Sequence, residues 1–235
     1  MRIRREPAVI IKQQPFKETS KIVTFFSPQQ GRFNGLIKGA SRLKGHLVSN
    51  VDLFCYGEVS YLATKEGQLA TITDFIAEER FLPIRENLDK LHLASSFARI
   101  LNQVTESDPA ALFQLFLSAL YYLKERDDTV RLEIYFSGLL FNLMGQFPQM
   151  DSCINCSNKL SSSRLLFSAE LGGEVGSECL SLVRETAPYN RKTWLKFLCL
   201  LRLPLDQIDE PELSKDELAE LKIFCSRYRE CLEVN

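Results

Sequence analysis

Up to about residue 80 apolar and polar positions alternate, and β-branched and aromatic residues are frequent, a pattern that predicts strands. Five are legible: Ala8 to Gln13, Lys21 to Phe26, Arg32 to Lys38, Val51 to Leu62 and Leu69 to Ile76. Ser27-Pro28-Gln29-Gln30-Gly31 has turn chemistry, because proline fixes φ and glycine accepts φ > 0, so the second and third strands are expected as a hairpin. Lys65-Glu66-Gly67 joins the last two. Five short antiparallel strands in succession predict a small closed or partly open barrel such as the OB-fold.

From Pro83 the period becomes helical. Leu88, Leu91, Ser95, Ala98, Leu101 and Asn102 fall on one stripe with Phe97, Ile100 and Val104 beside it, predicting a helix over 85–106. Ser107-Asp108-Pro109 supplies a cap and a proline at the first helical position, and Leu112, Leu115, Phe116, Ala119, Leu120 and Leu123 follow at helical spacing. A third helix is expected over 128–146; its apolar residues go nearly all the way round, which places it centrally. Residues 148–190 break the pattern with a proline, two cysteines, a serine-rich stretch and Leu171-Gly172-Gly173. Helices resume over 192–202 and 214–232, with an acidic stretch between them. The pattern is therefore α+β: a barrel domain over 1–80 and a helical domain over 81–235, with 148–190 inserted into it.

Composition adds a class and a compartment. The 235 residues are 45% hydrophobic and 25% charged, ordinary globular values that exclude disorder. The longest uncharged run, Ile134 to Met150, falls short of the ~18 residues a spanning helix needs. The first residues, MRIRREPAVIIKQQ, lack a signal-peptide core, and seven scattered cysteines are not a disulfide framework, so a cytoplasmic location is expected. Net charge is −1, yet residues 1–44 carry ten basic side chains against Glu6 and Glu18, a balance of +8. A local patch of this kind fits a polyanion, because charges act over ~10 Å and partners meet patches, not totals.

Motifs for catalysis are missing. His46 lies in the basic loop and His92 in a helix, neither with a nucleophile or carboxylate at a telling spacing, and no phosphate-binding glycine loop, dinucleotide fingerprint or H-E-x-x-H occurs. No enzymatic activity is expected. Cys153-Ile154-Asn155-Cys156 is a sharper signal, since two thiolates at this spacing can share a tetrahedral zinc. A second such pair would begin at residue 176, where the chain has Gly176, so Cys179 stands alone. One structural zinc on Cys153, Cys156 and Cys179 and a metal-free hairpin both remain open. In the basic segment, Lys38-Gly39-Ala40-Ser41-Arg42-Leu43-Lys44-Gly45 puts three cations on a glycine-flanked loop suited to phosphates. Phe16, Phe25, Phe26, Phe33, Phe54 and Tyr56 are candidates either to stack bases or to fill the barrel.

At these residues the chain resembles the bacterial RecO family. The resemblance rests on Glu18-Thr19-Ser20-Lys21-Ile22-Val23-Thr24-Phe25-Phe26-Ser27-Pro28, then Gly31-Arg32, then Lys38-Gly39-Ala40-Ser41-Arg42, and continues through Leu53-Phe54, the C-x-x-C and the Gly172-Gly173 pair. The family's second C-x-x-C is where this chain departs, at Gly176. The resemblance implies an N-terminal OB-fold, a helical domain and a zinc-ribbon-like insertion. It implies a non-enzymatic mediator of DNA repair and recombination in the RecFOR pathway, which binds single- and double-stranded DNA and anneals complementary strands. Its implied partners are RecR, the acidic C-terminal tail of single-stranded-DNA-binding protein (SSB) and, indirectly, RecA, at the bacterial nucleoid. Arg32, Lys38, Arg42 and Lys44, with Arg2, Arg4 and Arg5, are the expected DNA-binding residues. Arg126, Arg131, Arg191 and Lys192 are candidates by charge for receiving the acidic tail. The competing class is an RNA-binding barrel or a zinc-ribbon transcription-related module.

Overall fold

The computed structural model describes residues 3–38, 51–62, 69–103, 108–160 and 162–234. The chain divides into two compact units, Met1–Asp127 and Asp128–Asn235.

In the first unit, β1 (Ile3–Phe16), β2 (Ser20–Ser27), β3 (Gly31–Ile37), β4 (Tyr56–Leu62) and β5 (Ala70–Glu79) close into a barrel in the order β1-β2-β3-β5-β4, which fits the OB-fold. The length of β1 makes closure possible. Its first half pairs with β4, from Ile3↔Leu62 to Val9↔Tyr56, and its second half with β2, from Val9↔Phe26 to Phe16↔Ser20. β2 and β3 form the expected hairpin, with Gly31 at φ 61 and the Gln30 amide donating to Ser27 Oγ. A short parallel contact, Gly35↔Ala70 and Leu36↔Thr71, completes the ring. Gly35 is required there: a Cβ would lie 2.3 Å from Ile72 Cδ1, in space that Ile72 uses to fill the barrel.

Two expectations about the strands change. β1 and β5 run further than the alternation suggested, and Val51–Cys55 is not strand. There Phe54 turns into the left-handed region (φ 67), its amide donates to the Ile10 carbonyl, and the Cys55 carbonyl accepts from the Ile10 amide. The segment thus pins the bulge between Ile10 and Lys12 in β1.

Barrel interior positions include Ala8, Ile10, Val23, Phe25, Val59, Tyr61, Ile72 and Phe75. Phe25 and Phe26 point to opposite faces, and both are fully buried. The outer face is covered in part by α3 (Pro109–Glu125), where Phe116 meets Phe54 and Phe113 meets Tyr56. Asp108 caps α3 from its side chain, as the sequence indicated. The helix expected over 85–106 is two helices, α1 (Leu82–Glu86) and α2 (Leu88–Gln103). Asn87 adopts an extended backbone and caps α2 by accepting from the amides of Asp89 and Lys90. The buried stripe of α2 is rotated from the expected one. Leu93, Ala94, Phe97, Ala98, Ile100 and Leu101 face inward, while Leu88 is 83% exposed.

The second unit contains α4 (Thr129–Leu143), α5 (Arg191–Leu200), α6 (Lys215–Val234) and a sheet ordered β7-β6-β8, from β6 (Arg164–Ser168), β7 (Gly173–Glu174) and β8 (Ala187–Asn190). α4 is buried almost all round, as its composition requires. Gly138 lets it approach the end of α5: a Cβ would meet Phe197 and Leu201 at 2.6–2.7 Å. Phe167, Tyr189, Trp194, Phe197, Phe224 and Tyr228 interlock in tilted and edge-to-face pairs between sheet and helices.

Candidate nucleic-acid interface and metal centre

Several cations of the first unit stand on or beside its strands. Arg4 and Arg5 belong to β1 and are exposed, so this part of the N-terminus is strand. Lys38 directly follows β3 and is exposed. A continuous row of paired residues, Ile3–Leu62–Thr71–Leu36, links these positions across β1, β4, β5 and β3. At ~4.8 Å per strand that row follows the curved barrel wall for about 14 Å, with Arg4 and Arg5 near one end and Lys38 beyond the other. Lys12, in β1, adds a further exposed cation. Arg2, Arg42 and Lys44 lie outside the described residues. Arg32, at the start of β3, is engaged differently: its guanidinium donates to the Asn102 carbonyl in the last turn of α2 and so ties helix to barrel.

Glu6 is the acid among these bases, and it is 3% exposed. Its Oε1 accepts from Tyr61 Oη at 2.5 Å and from Gln30 Nε2 at 2.6 Å. Burial, followed by the bond to Glu6, pushes the Tyr61 phenol well above its usual range, so it stays a neutral donor. Glu6 is therefore bound inward, to groups of the barrel interior, while Arg4 and Arg5 on the same strand are exposed. Of the six aromatic candidates, Phe25, Phe26 and Phe54 are fully buried; Phe16, Phe33 and Tyr56 are half-buried. Phe33 stacks on Phe25 and tilts against Tyr61, so it extends the barrel core to the surface.

In the second unit, Cys153, Cys156 and Cys179 come together, their sulfurs all within 4.8 Å of one another. Residues 152–159 make a tight knuckle: Ser152 bridges Lys159, the Cys153 amide donates to the Asn158 carbonyl, and the Ser157 amide donates to the Cys153 carbonyl with Ser157 at φ 62. Backbone amides gather on one sulfur. Burial pushes the Cys153 thiol up, but the amides of Gly176, Cys156 and Asn155 outweigh it and bring its pKa down to about 6. The Gly176 amide is 3.3 Å from that sulfur, and Asn155 Nδ2 is 3.5 Å from Cys179 Sγ. Cys153 and Cys179 are buried, Cys156 is exposed.

The glycine pair holds this knuckle against the sheet. Gly172 sits at φ 71 with Tyr228 Oη 2.9 Å from where a Cβ would be, and a Cβ on Gly173 would meet Ile154 at 2.9 Å and the Gln149 carbonyl at 3.0 Å. That closeness allows the Ile154 amide to reach the Glu174 carbonyl. Sequence reading did not find the ion pair behind it. Arg191 forks onto both carboxylate oxygens of Glu174, 2.8 and 3.0 Å away, and also donates to the carbonyls of Met150 and Ser162. Its only sequence sign was a basic residue where helix and insertion meet. Arg131 is likewise internal, donating to Asp128 and to the carbonyls of Ile208 and Pro211. Lys192 is exposed, and Arg126 lies over the Tyr122 ring in the first unit. A groove of about 670 Å³ beside β6 and β8 brings Arg184 and Arg227 together with Glu170, Glu185 and Glu230, a mixture that favours neither sign of ligand.

Fold and sites thus define a two-unit α+β protein with a closed five-stranded barrel carrying exposed cations and a three-thiol centre in its helical unit. Family models agree along the chain. "Recombination protein O N terminal" matches residues 1–80 and "Recombination protein O C terminal" matches residues 85–232, so the chain belongs to the RecO family. A protein of Acetivibrio thermocellus named DNA repair protein RecO is 31% identical over 231 residues, 97% of this chain and 91% of that protein. One of the same name from Halalkalibacterium halodurans is 26% identical over 226 residues, covering 94% and 86%. Among solved structures, an asparaginyl-tRNA synthetase of Entamoeba histolytica aligns at 12% identity and a TM-score of 0.28, over 71% of this chain and 37% of that one, too slight a likeness to bear on fold or function. Among the described residues no helix is long and apolar enough to cross a membrane.

Proposed function

We propose that this protein is a non-enzymatic mediator of recombinational DNA repair that binds single- and double-stranded DNA on its barrel and anneals complementary strands. The observation that carries this reading, beside membership of the family, is the set of exposed cations on the strand framework, Arg4, Arg5 and Lys38. Arg2, Arg42 and Lys44 complete the set from sequence, and Arg32 contributes charge while holding α2. Cations on both ends of a row about 14 Å long can each neutralise backbone phosphate and release counterions. Neutralising two strands at once lowers the repulsion that opposes their pairing, so annealing needs no nucleotide hydrolysis. The family-model limits near residue 80 and an insertion over 148–190 suit a division in which the barrel, compact with α1–α3, holds DNA and the rest of the helical part serves protein partners.

The partners in this reading are RecR, the SSB tail and, through them, RecA. The three thiols are read as the ligands of one structural zinc in a ribbon-like hairpin. Cys153, Cys156 and Cys179 would hold it, and the metal would cross-link the 152–159 knuckle to the segment after β7. The donor set fits: sulfur ligands, one with its thiolate form favoured by three backbone amides.

The test is annealing of complementary oligonucleotides coated with SSB, followed by loss of single-strand signal, with and without RecR. The reading predicts that the protein accelerates annealing without a nucleotide cofactor. A protein that binds the strands but leaves the annealing rate unchanged would contradict it.

A further inference from the structure

We infer that Cys153, Cys156 and Cys179 form a three-thiolate centre for a thiophilic divalent cation whose fourth donor is an exchangeable small ligand, because Gly176 stands where a fourth protein ligand would have to be. The inference rests on the reading that these thiols hold a metal.

Backbone conformation at residue 176 does not ask for glycine. Its φ of −72° and ψ of 153° are open to any L-residue. The direction of the missing side chain is informative. A Cβ at 176 would lie 3.8 Å from both Cβ and Sγ of Cys153, with only the tip of Leu160, 3.2 Å away, crowding it. A side chain here would enter the sulfur cluster.

The local chain is also arranged as a second knuckle. The Cys179 amide donates to the Gly176 carbonyl three residues back at 2.9 Å, while in the first knuckle the Ser157 amide closes the turn on the Cys153 carbonyl four residues back. Residues 176 and 179 thus have the spacing of a C-x-x-C on a tight turn, with the first sulfur missing. In its place the Gly176 amide donates to Cys153 Sγ, an outer-shell contact that orients a ligand without being one.

Nothing else among the described residues takes the position. No further His, Cys, Asp or Glu joins the three sulfurs, and Glu178, the nearest acid in sequence, is exposed. Cys156 is exposed too, which opens the cluster to solvent on that side. Three protein ligands leave one position of a tetrahedral zinc to a solvent oxygen or to a small donor such as imidazole or a thiol, whereas a purely structural site closes with four. The centre should therefore hold metal less firmly than a closed site and register the small donors around it.

Cobalt(II) loaded into the full-length protein reads both the number of sulfurs and the fourth donor from its visible spectrum. The wild type should take up one equivalent and shift its bands on addition of imidazole. Gly176→Cys should bind at least about tenfold more tightly, since even outer-shell partners carry that much. Its sulfur-to-metal absorption should rise by about a third, four sulfurs against three, and imidazole should no longer shift it. Wild-type bands indifferent to imidazole, or metal affinity lost in Glu178→Ala, would overturn the inference by revealing a fourth protein ligand while leaving the metal reading intact. No uptake by the wild type would remove the metal reading itself and the inference with it. Should Gly176→Cys fail to fold, the imidazole response of the wild type still decides.

Discussion

In the barrel unit Arg5, Lys12 and Lys38 end in solvent, and among the described residues no ion pair holds them. In the second unit Arg131, Arg191, Lys196 and Arg229 each end on a carboxylate of the same unit. The difference follows from the cores. Barrel interior side chains interlock with few polar groups, so the strands themselves ask little of Arg5, Lys12 and Lys38, while Arg32 and Lys124 brace the helices of that unit. The helical unit must instead fasten a loop-rich insertion to its helices, and there cations bond carboxylates and loose carbonyls. Arg5, Lys12 and Lys38 on the barrel strands are thus candidates for DNA, whereas Arg131, Arg191, Lys196 and Arg229 brace the helical unit.

Removing a brace tests this contrast most severely. Arg191→Ala leaves Glu174, 2% exposed, without its counter-charge, and should cost about 3 kcal/mol in urea unfolding. Burial already holds the Glu174 carboxyl above its usual range despite Arg191. A raised folded-state pKa gives stability that is full below the unfolded value, ~4.3, and is lost as pH rises through the folded value. Without Arg191 the carboxyl rises further, so the variant should recover part of its stability on acidification. A loss independent of pH would show that Arg191 acts through the carbonyls of Met150 and Ser162 alone.

A smaller effect is expected at the glycine pair. Gly173→Ala pushes a methyl against Ile154 and the Gln149 carbonyl and should cost about 1–3 kcal/mol. Because the knuckle rests on this contact, the variant should also expose Cys153 to thiol reagents. Reversing Arg5, Lys12 and Lys38 to Glu, by contrast, should move stability by no more than about 0.5 kcal/mol, read as an unchanged urea midpoint. A large loss there would erase the contrast between the units. The smallest effect is at Glu79, which the hydrogen bond from Lys124 holds below its usual range. Its stabilisation is present above the unfolded value and fades as pH falls through the folded one, so Glu79→Gln should narrow the gap to wild type in acid.

Much of this was legible in the chain. Period-two alternation gave all five barrel strands, and Asp108-Pro109 gave the start of α3, because each element satisfies a local rule. Where a tertiary contact decides, sequence failed. Val51–Cys55 looks like strand, yet it turns at Phe54 to cap the bulge of β1. Asn87 is a poor interior helix residue and a favoured cap, so the break before α2 was a local signal passed over, whereas packing alone sets the rotation of that helix that buries Leu93 rather than Leu88. β6, β7 and β8 are too short to show a period. Of the site, the C-x-x-C and Cys179 are found together as their spacing suggested. Arg191 and Arg131 could not be told from surface cations, because the Glu174 partner of Arg191 lies 17 residues away and Arg131, beyond its neighbour Asp128, bonds the distant carbonyls of Ile208 and Pro211.

The central claim is that the barrel, and not the helical unit, meets the DNA backbone. It is tested most directly by the salt dependence of single-stranded oligonucleotide binding, measured by fluorescence anisotropy for two triple variants beside the wild type. Each cation–phosphate contact on a single strand contributes ~0.7 to the slope of log affinity against log salt. Reversal of Lys38, Arg42 and Lys44 to Glu should therefore flatten the slope by about two and weaken binding. Reversal of Lys192, Arg202 and Lys215, all exposed in the helical unit, should leave the slope in place. Equal slopes for the barrel variant and the wild type, or a loss confined to the helical-unit variant, would contradict the account.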